Sequence, residues 1–327
     1  MFPVEMTAVA SYLPDKIVLN DDLTALVDTS DEWISSRTGI RQRHISLTEN
    51  TSDLCVHVAN RLLEKTGLAA SDLGLIIVAT MSPDSMMPST ACIVHHKIGA
   101  GTAFAFDVNA ACTGFIYALS IAEKYIASGL CRHAMVLGAE TVSKLMNWSD
   151  RSTCVLFGDG AGGVILSRSA RPSSSFLAED LHSDGTDHMS IHTNELPVEN
   201  PFTGLLSPQE KVFYMDGRGV WNFATKRVPE SIRALLEKTG ATLDDVNYIV
   251  PHQANARIVD ILAKKLCFPL EKFFVNIEHT GNTSAASIPI ALTEMEEKGL
   301  LKFGNGDRVI LTGFGAGLTW GSIFLQI

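Results

Sequence analysis

The sequence predicts an α/β fold made of two similar halves, each holding a mostly parallel, buried sheet, and three observations carry that prediction. The first is an internal repeat. Leu62-Leu63-Glu64-Lys65-Thr66-Gly67 recurs letter for letter as Leu235-Leu236-Glu237-Lys238-Thr239-Gly240. Each copy ends a helical pattern at its Gly, passes a short loop with an Asp (Asp72, Asp245) and enters an apolar run, Leu75-Ile76-Ile77-Val78 or Tyr248-Ile249-Val250. The second is a fainter echo: Val155-Leu156-Phe157 leads into Gly158-Asp159-Gly160-Ala161-Gly162, and Ile310-Leu311-Thr312 into Gly313-Phe314-Gly315-Ala316-Gly317. The third is alternation. Between the echoes each half places a strand, a polar turn and a helix, Phe104 to Gly129 in one and Phe273 to Gly299 in the other. Short apolar strands alternating with helices imply sheets covered on both faces. One six-residue match can arise by chance, but two ordered echoes make duplication the better reading.

The halves are expected to divide at residues 1–170 and 171–327, in the loop Arg171-Pro172-Ser173-Ser174-Ser175, and to pack as one unit. Ser183 to Gln209, rich in His, Asn and Pro, reads as a long insertion able to form a cap or entrance loop. The composition, 46% hydrophobic and 19% charged, allows a large core and excludes disorder. A formal charge of −10 argues against general nucleic-acid binding, and any acidic partner would need a local basic patch. Six cysteines without CxxC pairing read as reduced thiols in a cytoplasmic protein. Met1 to Glu5 has no basic or apolar leader pattern, so no signal peptide is expected. The weakly charged run Gly101 to Ala122 is interrupted by Asp107 and Asn109 and reads as a buried strand and helix, not a membrane span.

Three segments place reactive side chains beside tight turns. In Asp107-Val108-Asn109-Ala110-Ala111-Cys112-Thr113-Gly114-Phe115, Cys112 falls where a strand has ended and a helix begins. Unpaired N–H groups and the positive dipole end there favour a thiolate and can hold an oxyanion. Chemistry alone weighs this evenly against a buried core thiol; for Cys55, Cys92, Cys131 and Cys154 the core reading is preferred. In Val250-Pro251-His252-Gln253-Ala254-Asn255, His252 follows a strand end at the mouth of a helix. That position biases it toward the neutral form with Nε2 donating, although a lone His there can simply cap the helix. In His279-Thr280-Gly281-Asn282-Thr283-Ser284, Asn282 can be a functional amide or an N-cap. Singly each is weak; together they occupy strand-to-helix turns of a duplicated fold.

At these residues the chain resembles the β-ketoacyl-acyl carrier protein synthase III family. The resemblance is carried by Asp107 to Phe115, Pro251 to Asn255, Gly281 to Pro289, Gly313 to Gly321 and Asp31-Glu32-Trp33-Ile34-Ser35-Ser36-Arg37-Thr38-Gly39-Ile40, and it runs from about residue 6 to the C-terminus. It implies the thiolase fold, two similar halves in a five-layer αβαβα arrangement, in a homodimer. It implies that Cys112 takes an acyl group from acyl-coenzyme A. His252 and Asn282 then hold the thioester oxygen of malonyl-acyl carrier protein as carbon dioxide leaves, initiating fatty acid synthesis. Phe314 would exclude water, and the N–H groups of Cys112 and Ala316 would form the oxyanion hole. Ala316 stands where the family commonly has Gly, which is harmless if the turn needs no positive φ there. Trp33 and Arg151 match the residues that sandwich adenine, with Arg37 beside them at the coenzyme A site. Arg257 and Lys264, opposite the apolar stripe Ile258, Ile261 and Leu262, would form the basic patch for the carrier protein, or else a solvated helix face. Met87, often Phe in the family, would limit the partner subunit's acyl pocket. No cofactor is expected, acyl-coenzyme A being a substrate.

No metal is expected either: His182, His188 and His192 have suggestive spacing but no accompanying carboxylate or Cys set. Gly158 to Gly163 lacks a Lys-Ser/Thr ending and a GxGxxG before a helix, and reads as a tight core turn. A thiolase would need a second Cys near the C-terminus, yet the last is Cys267. A chain-elongating condensing enzyme would carry His at the place of Asn282. A type III polyketide synthase, usually longer and using coenzyme A esters throughout, is the runner-up. A silent scaffold that only binds acyl carrier protein fits poorly with an intact Cys112, His252 and Asn282.

Overall fold

The computed structural model describes residues 1–171, 175–193, 196, 198–202 and 213–327. In the first half the chain runs β1 (Val4–Tyr12), β2 (Ile17–Leu19), α1 (Asp31–Thr38), β3 (Gln42–His44), α2 (Thr51–Thr66), β4 (Leu75–Ala79), α3 (Thr90–Ile98), β5 (Phe104–Val108), α4 (Gly114–Ala127), β6 (His133–Glu140) and β7 (Gly160–Arg168). The second half runs β8 (Phe176–Ser183), β9 (Ile191–Thr193), β10 (Phe213–Met215), α5 (Gly217–Thr239), β11 (Tyr248–Pro251), α6 (Ala256–Leu266), α7 (Ile277–Thr280), α8 (Ser287–Glu297), β12 (Arg308–Gly315) and β13 (Thr319–Gln326).

The repeated hexapeptide folds twice into the same backbone. α2 stops at Gly67 (φ 68°) and α5 at Gly240 (φ 67°), the left-handed conformation that glycine adopts without a Cβ clash. Thr66 and Thr239 each donate back to the Leu four residues earlier at 2.8 Å. Asp72 and Asp245 each accept the N–H three residues before, at 2.9 and 2.8 Å, turning the chain into β4 and β11.

The sheets repeat the order too. One is β1-β7-β6-β4-β5, the other β8-β13-β12-β11. β4 pairs in parallel with β5 and β6, and β11 in parallel with β12, while the remaining neighbours are antiparallel. Phe273 stands where the fifth strand of the second sheet would be, but it makes only an isolated bridge with Ile249. The buried Gln253 side chain replaces the missing ladder, donating to the Phe274 carbonyl at 3.1 Å and accepting the Asn276 N–H at 3.2 Å. The fainter echo is only partly structural. Gly313 to Gly315 lie inside β12, whereas Val155 to Phe157 form a loop bridged to Asn282 through Phe157.

Alternation along the strands sorts the side chains into layers. Leu75 and Ile77 of β4 and Leu311 of β12 face one core with Phe115 of α4 and Ile288 and Leu292 of α8. Ile76 and Val78 face α2 through Leu54, Val58 and Leu62, and Ile310 and Phe324 face α5 and α6 through Ile232 and Leu262. The molecule is therefore the five-layer αβαβα arrangement, with α4 and α8 as the shared middle layer. Burial on all sides explains why Gly114 to Ala122 carries no charge, at a gain of roughly 1.5–3 kcal/mol per large apolar side chain. Among the described residues no helix is long and apolar enough to cross a membrane.

Cys92 departs from expectation. Ala91 and Val94 fill the core side of α3, leaving Cys92 exposed with its thiol on the Ala105 carbonyl at 3.6 Å; Cys55, Cys131 and Cys154 are buried as expected. Of the expected insertion, Ser183 to Thr193 includes a turn at Gly185–Ser190 and β9, which pairs with β10. Residues 194, 195, 197 and 203–209 of it lie outside the described residues, as do 172–174 of the boundary loop. His182, His188 and His192 do not share a ligand set: they bond Asp180, the Gly185 carbonyl and the Met189 carbonyl.

The turn Ser284–Ala286 lies directly on the C-terminal end of β6. A Cβ on Gly138 would sit 2.3 Å from the Ala285 carbonyl oxygen, a backbone atom that cannot swing aside. Gly138→Ala is expected to cost about 1–3 kcal/mol. Gly185→Ala, where a Cβ meets open space, should stay within about 0.5 kcal/mol of wild type. Urea unfolding midpoints at equal m check this; matching midpoints would show that the seam tolerates a side chain.

Candidate active site

Cys112 sits in the helical turn Ala111–Thr113 that runs into α4. Ala111 before it is in the left-handed region at φ 45°, a strain of about 1–3 kcal/mol for a residue with a Cβ. The bend is held from the other half: Thr113 Oγ1 donates to the Thr319 carbonyl at 3.1 Å, and Gly315 lies so close that a Cβ would be 2.9 Å from the Cys112 nitrogen. The expected thiolate is not the resting state. Burial pushes the Cys112 thiol up to about 12, the Ser284 hydroxyl draws it back only in part, and the Glu140 carboxyl adds to the rise. Desolvation outweighs the helix end, so Cys112 rests as a thiol.

His252 directly follows β11, with its N–H on the Thr312 carbonyl at 2.8 Å, and is 2% exposed. Burial lowers its pKa to about 3, against a smaller raising effect of the Ser284 backbone, so the imidazole is neutral. Its neutrality comes from burial more than from the helix mouth, since α6 begins only at Ala256, capped by Asn255. His252 Nδ1 lies 2.7 Å from Ser287 Oγ, which is also 2.8 Å from the Ser284 carbonyl, so Ser287 can accept from Nδ1–H while donating to that carbonyl, or donate to Nδ1 and leave the ring proton on Nε2.

Asn282 follows α7 and Gly281. Its backbone is clamped to the other half, N–H to the Leu156 carbonyl at 2.9 Å and carbonyl from the Gly158 N–H at 3.0 Å. Its Oδ1 accepts the Ser284 N–H at 2.9 Å, so the side-chain NH₂ is the end left to donate. Phe314 is 2% exposed and meets the His252 ring edge-on at 5.3 Å. Ala316 has no positive φ, so alanine fits that turn without strain. Among the described residues neither the Cys112 nor the Ala316 N–H donates to a backbone carbonyl.

Cys112, His252, Asn282, Phe314 and Ala316 line one cavity that opens to solvent. Ile191 of β9, Phe213 and Met215 of β10, and Trp221 of α5 complete its wall, so part of the expected entrance segment does border the site. Sequence reasoning missed Gln253, Ser284, Ser287 and Glu140. The serines read as an ordinary helix opening. Glu140 had a visible signal, a carboxylate ending the apolar run Ala134 to Ala139.

Trp33, Arg37 and Arg151 come together outside the cavity. The Arg37 and Arg151 guanidinium carbons lie 4.7 and 4.8 Å from the Trp33 ring centroid, and Arg151 also donates to the Asp28 carbonyl at 2.7 Å. Asn255, which lines the cavity, donates to the Arg37 carbonyl at 3.0 Å, joining this cluster to the cavity wall. Arg257 and Lys264 are both exposed on α6, and Ile258 and Leu262 are buried beneath them. Met87 is 85% exposed and does not line this chain's cavity.

Comparison with known proteins gives one family. The model of 3-oxoacyl-[acyl-carrier-protein (ACP)] synthase III matches residues 106–185, and that of its C-terminal part matches 236–327. The chain is 49% identical over 326 residues to the beta-ketoacyl-[acyl-carrier-protein] synthase III of Clostridium novyi, covering 100% of this chain and 99% of that one. It is 50% identical over 325 residues to the enzyme of the same name from Streptococcus equi subsp. equi, covering 99% of each. The crystal structure of 3-oxoacyl-[acyl-carrier-protein] synthase III from Aquifex aeolicus superposes with a TM-score of 0.91 at 42% identity, over 99% of this chain and 100% of that one.

The site predicts a pH response. Because burial lowers the His252 pKa to about 3, His252 should stay neutral from pH 5 to 8. Nitrogen-15 NMR of histidine-labelled protein reads the charge state; a His252 signal titrating near pH 6.5 would contradict it.

Proposed function

The chain belongs to the 3-oxoacyl-[acyl-carrier-protein] synthase III family, and on that premise we propose that it joins a short acyl-coenzyme A starter to malonyl-acyl carrier protein, with loss of carbon dioxide, to begin fatty acid synthesis. The observation that carries this reading is the single cavity that gathers Cys112, His252 and Asn282 from turns of both halves.

Cys112 attacks the starter thioester and keeps the acyl group, while the N–H groups of Cys112 and Ala316 receive the oxyanion. Malonyl thioester then enters. As its carboxylate leaves, negative charge grows on the thioester oxygen, where the Asn282 NH₂ donates. The neutral His252 serves the same oxygen as its Nε2–H tautomer, with the Ser287 hydroxyl donating to Nδ1. Phe314 against the imidazole keeps water from the developing carbanion. A charged group here would compete with the enolate for those donors, so a neutral site suits the chemistry.

Trp33, Arg37 and Arg151 are assigned to the coenzyme A nucleotide. An adenine between Trp33 and Arg151 needs about 7 Å, two contact distances, against the 4.8 Å now between them, so Arg151 must swing out as the ring enters. Arg257 and Lys264 are assigned to the acidic carrier protein. A homodimer is supported by β5, the edge of its sheet, which exposes Phe104 beside α3, with Met86 and Met87 just before that helix. Met87 would then reach the partner's acyl pocket. Six free cysteines support a cytoplasmic setting.

Incubation with a short acyl-coenzyme A should add one acyl mass to Cys112 and none to Cys112→Ala. His252→Ala and Asn282→Ala should keep measurable loading but lose decarboxylation and condensation, by ~3 kcal/mol for each donor removed. Intact mass and carbon dioxide release separate the steps; condensation at the wild-type rate in either variant would remove that residue from the assignment. In the same assay Arg257→Glu should raise KM for malonyl-acyl carrier protein and lose that effect at high salt. Equal use of malonyl-coenzyme A would instead favour a polyketide-type enzyme.

A further inference from the structure

Among the buried ionisable groups to which the reaction gives no task, one stands behind the nucleophile. Glu140, the last residue of β6, is fully buried, and its hydrogen bonds come from neutral donors: the Thr80 hydroxyl at 3.1 Å, the Met81 N–H at 3.2 Å, the Ser82 N–H at 3.1 Å and the Ser82 hydroxyl. These donors support the ionised form while burial opposes it, and the balance leaves the carboxyl raised to about 7. It is therefore able to gain and lose a proton in the neutral range.

Ser284 stands where the turn of Cys112 and the end of β6 meet. It opens the turn Ser284–Ala286, which touches both the turn of Cys112 and the end of β6. It is held in the left-handed region at φ 49°. Its hydroxyl is fully buried and has no hydrogen-bond partner among the described residues at normal distance. Its side chain nonetheless favours the ionised form of both the Cys112 thiol and the Glu140 carboxyl. A buried hydroxyl held in a strained backbone without a full bond is poised between the two. The charge of Glu140 also reaches the thiol of Cys55, which Asp84, Asp107 and Lys97 influence as well; Cys55 is fully buried and lines no part of the cavity.

We propose that Glu140 stores the proton of Cys112, with the Ser284 hydroxyl passing it between sulfur and carboxylate. The proposal rests on the acyl-transfer reading above. In loading, the Cys112 S–H proton moves to Ser284, which gives its own proton to the Glu140 carboxylate. The sulfur bonds to the acyl carbon, and the coenzyme A thiolate leaves and takes a proton from solvent. In condensation the malonyl C–CO₂ bond breaks, the enolate carbon bonds to the acyl carbon, and the C–S bond to Cys112 breaks. The freed thiolate recovers its proton through Ser284, returning Glu140 to the carboxylate. His252 cannot hold this proton, because burial keeps its pKa near 3.

The test is infrared difference spectroscopy on the full-length enzyme, resting against acetylated by acetyl-coenzyme A, with Cys112 occupancy read by intact mass. A carboxylic-acid carbonyl band should appear on acetylation, vanish when malonyl-acyl carrier protein is added, and be absent in Glu140→Gln. Wild-type loading should rise with pH through about 7, as the carboxylate form is needed. Glu140→Gln and Ser284→Ala should each load roughly 100-fold more slowly, without that inflection. Ser284→Ala keeps the carboxylate in place, so it decides the matter if Glu140→Gln fails to fold. An adduct without the carbonyl band, or Ser284→Ala loading at the wild-type rate and pH profile, overturns the proton store alone. Failure of the wild type to acquire any adduct overturns the acyl-transfer reading and the store with it.

Discussion

The turn from Gly281 to Ser287 reaches the nucleophile only because the first half presents no side chain where the two backbones meet. A Cβ at Gly138 would lie 2.3 Å from the Ala285 carbonyl, one at Gly158 2.5 Å from the Thr280 carbonyl, and one at Gly162 2.8 Å from the Ile290 nitrogen. On the opposite face Gly315 gives the same clearance to Cys112. Residues with side chains at these points would push the halves apart, and a carbonyl or amide displaced by an ångström no longer holds a reacting atom in place. The Gly-rich echoes are thus the contact surface of a duplicated fold, and the site is what forms along it.

A second constraint follows from that close contact. Turns that meet backbone to backbone exclude water, and exclusion decides the ionisation of the reactive groups lining the cavity and of the carboxyl behind it. Cys112 becomes a thiol, His252 a neutral imidazole, and Glu140 a carboxyl poised near 7 instead of well below it. Each shift has burial as its largest cause. The site consequently offers dipoles, from the N–H of Cys112 and Ala316 and the NH₂ of Asn282, where charge will develop during reaction, and holds little fixed charge before it.

Much of this was legible in the sequence. The repeated Leu-Leu-Glu-Lys-Thr-Gly marks a helix stop that demands positive φ, a local requirement readable from residue types alone. The three reactive segments were visible because Cys112 and His252 each follow a strand end and Asn282 follows a Gly ahead of a helix, although what precedes that Gly is the short helix α7 and not a strand. Other features depend on distance through the fold. The helix end at Cys112 suggested a thiolate, but the burial that overrules it comes from packing against β12, about two hundred positions away in the chain. The His252 ring is held at Nδ1 by Ser287, which reads locally as a helix opening. Gln253 stands in for a strand that the sequence pattern around Phe273 promises, an exchange of side chain for backbone that periodicity cannot express. Cys92 follows the α3 pattern yet faces outward, because the neighbouring β5 is an edge strand.

The central claim is that one acyl group passes through Cys112 in a cavity built by both halves. A single turnover with isotope tests it most directly: load the enzyme with carbon-13 acetyl-coenzyme A, remove free coenzyme A, and add malonyl-acyl carrier protein. Label should leave Cys112 and appear in β-ketoacyl-acyl carrier protein at one rate, with one carbon dioxide released per label transferred. Unlabelled product, or product forming while Cys112 keeps its label, would contradict the account.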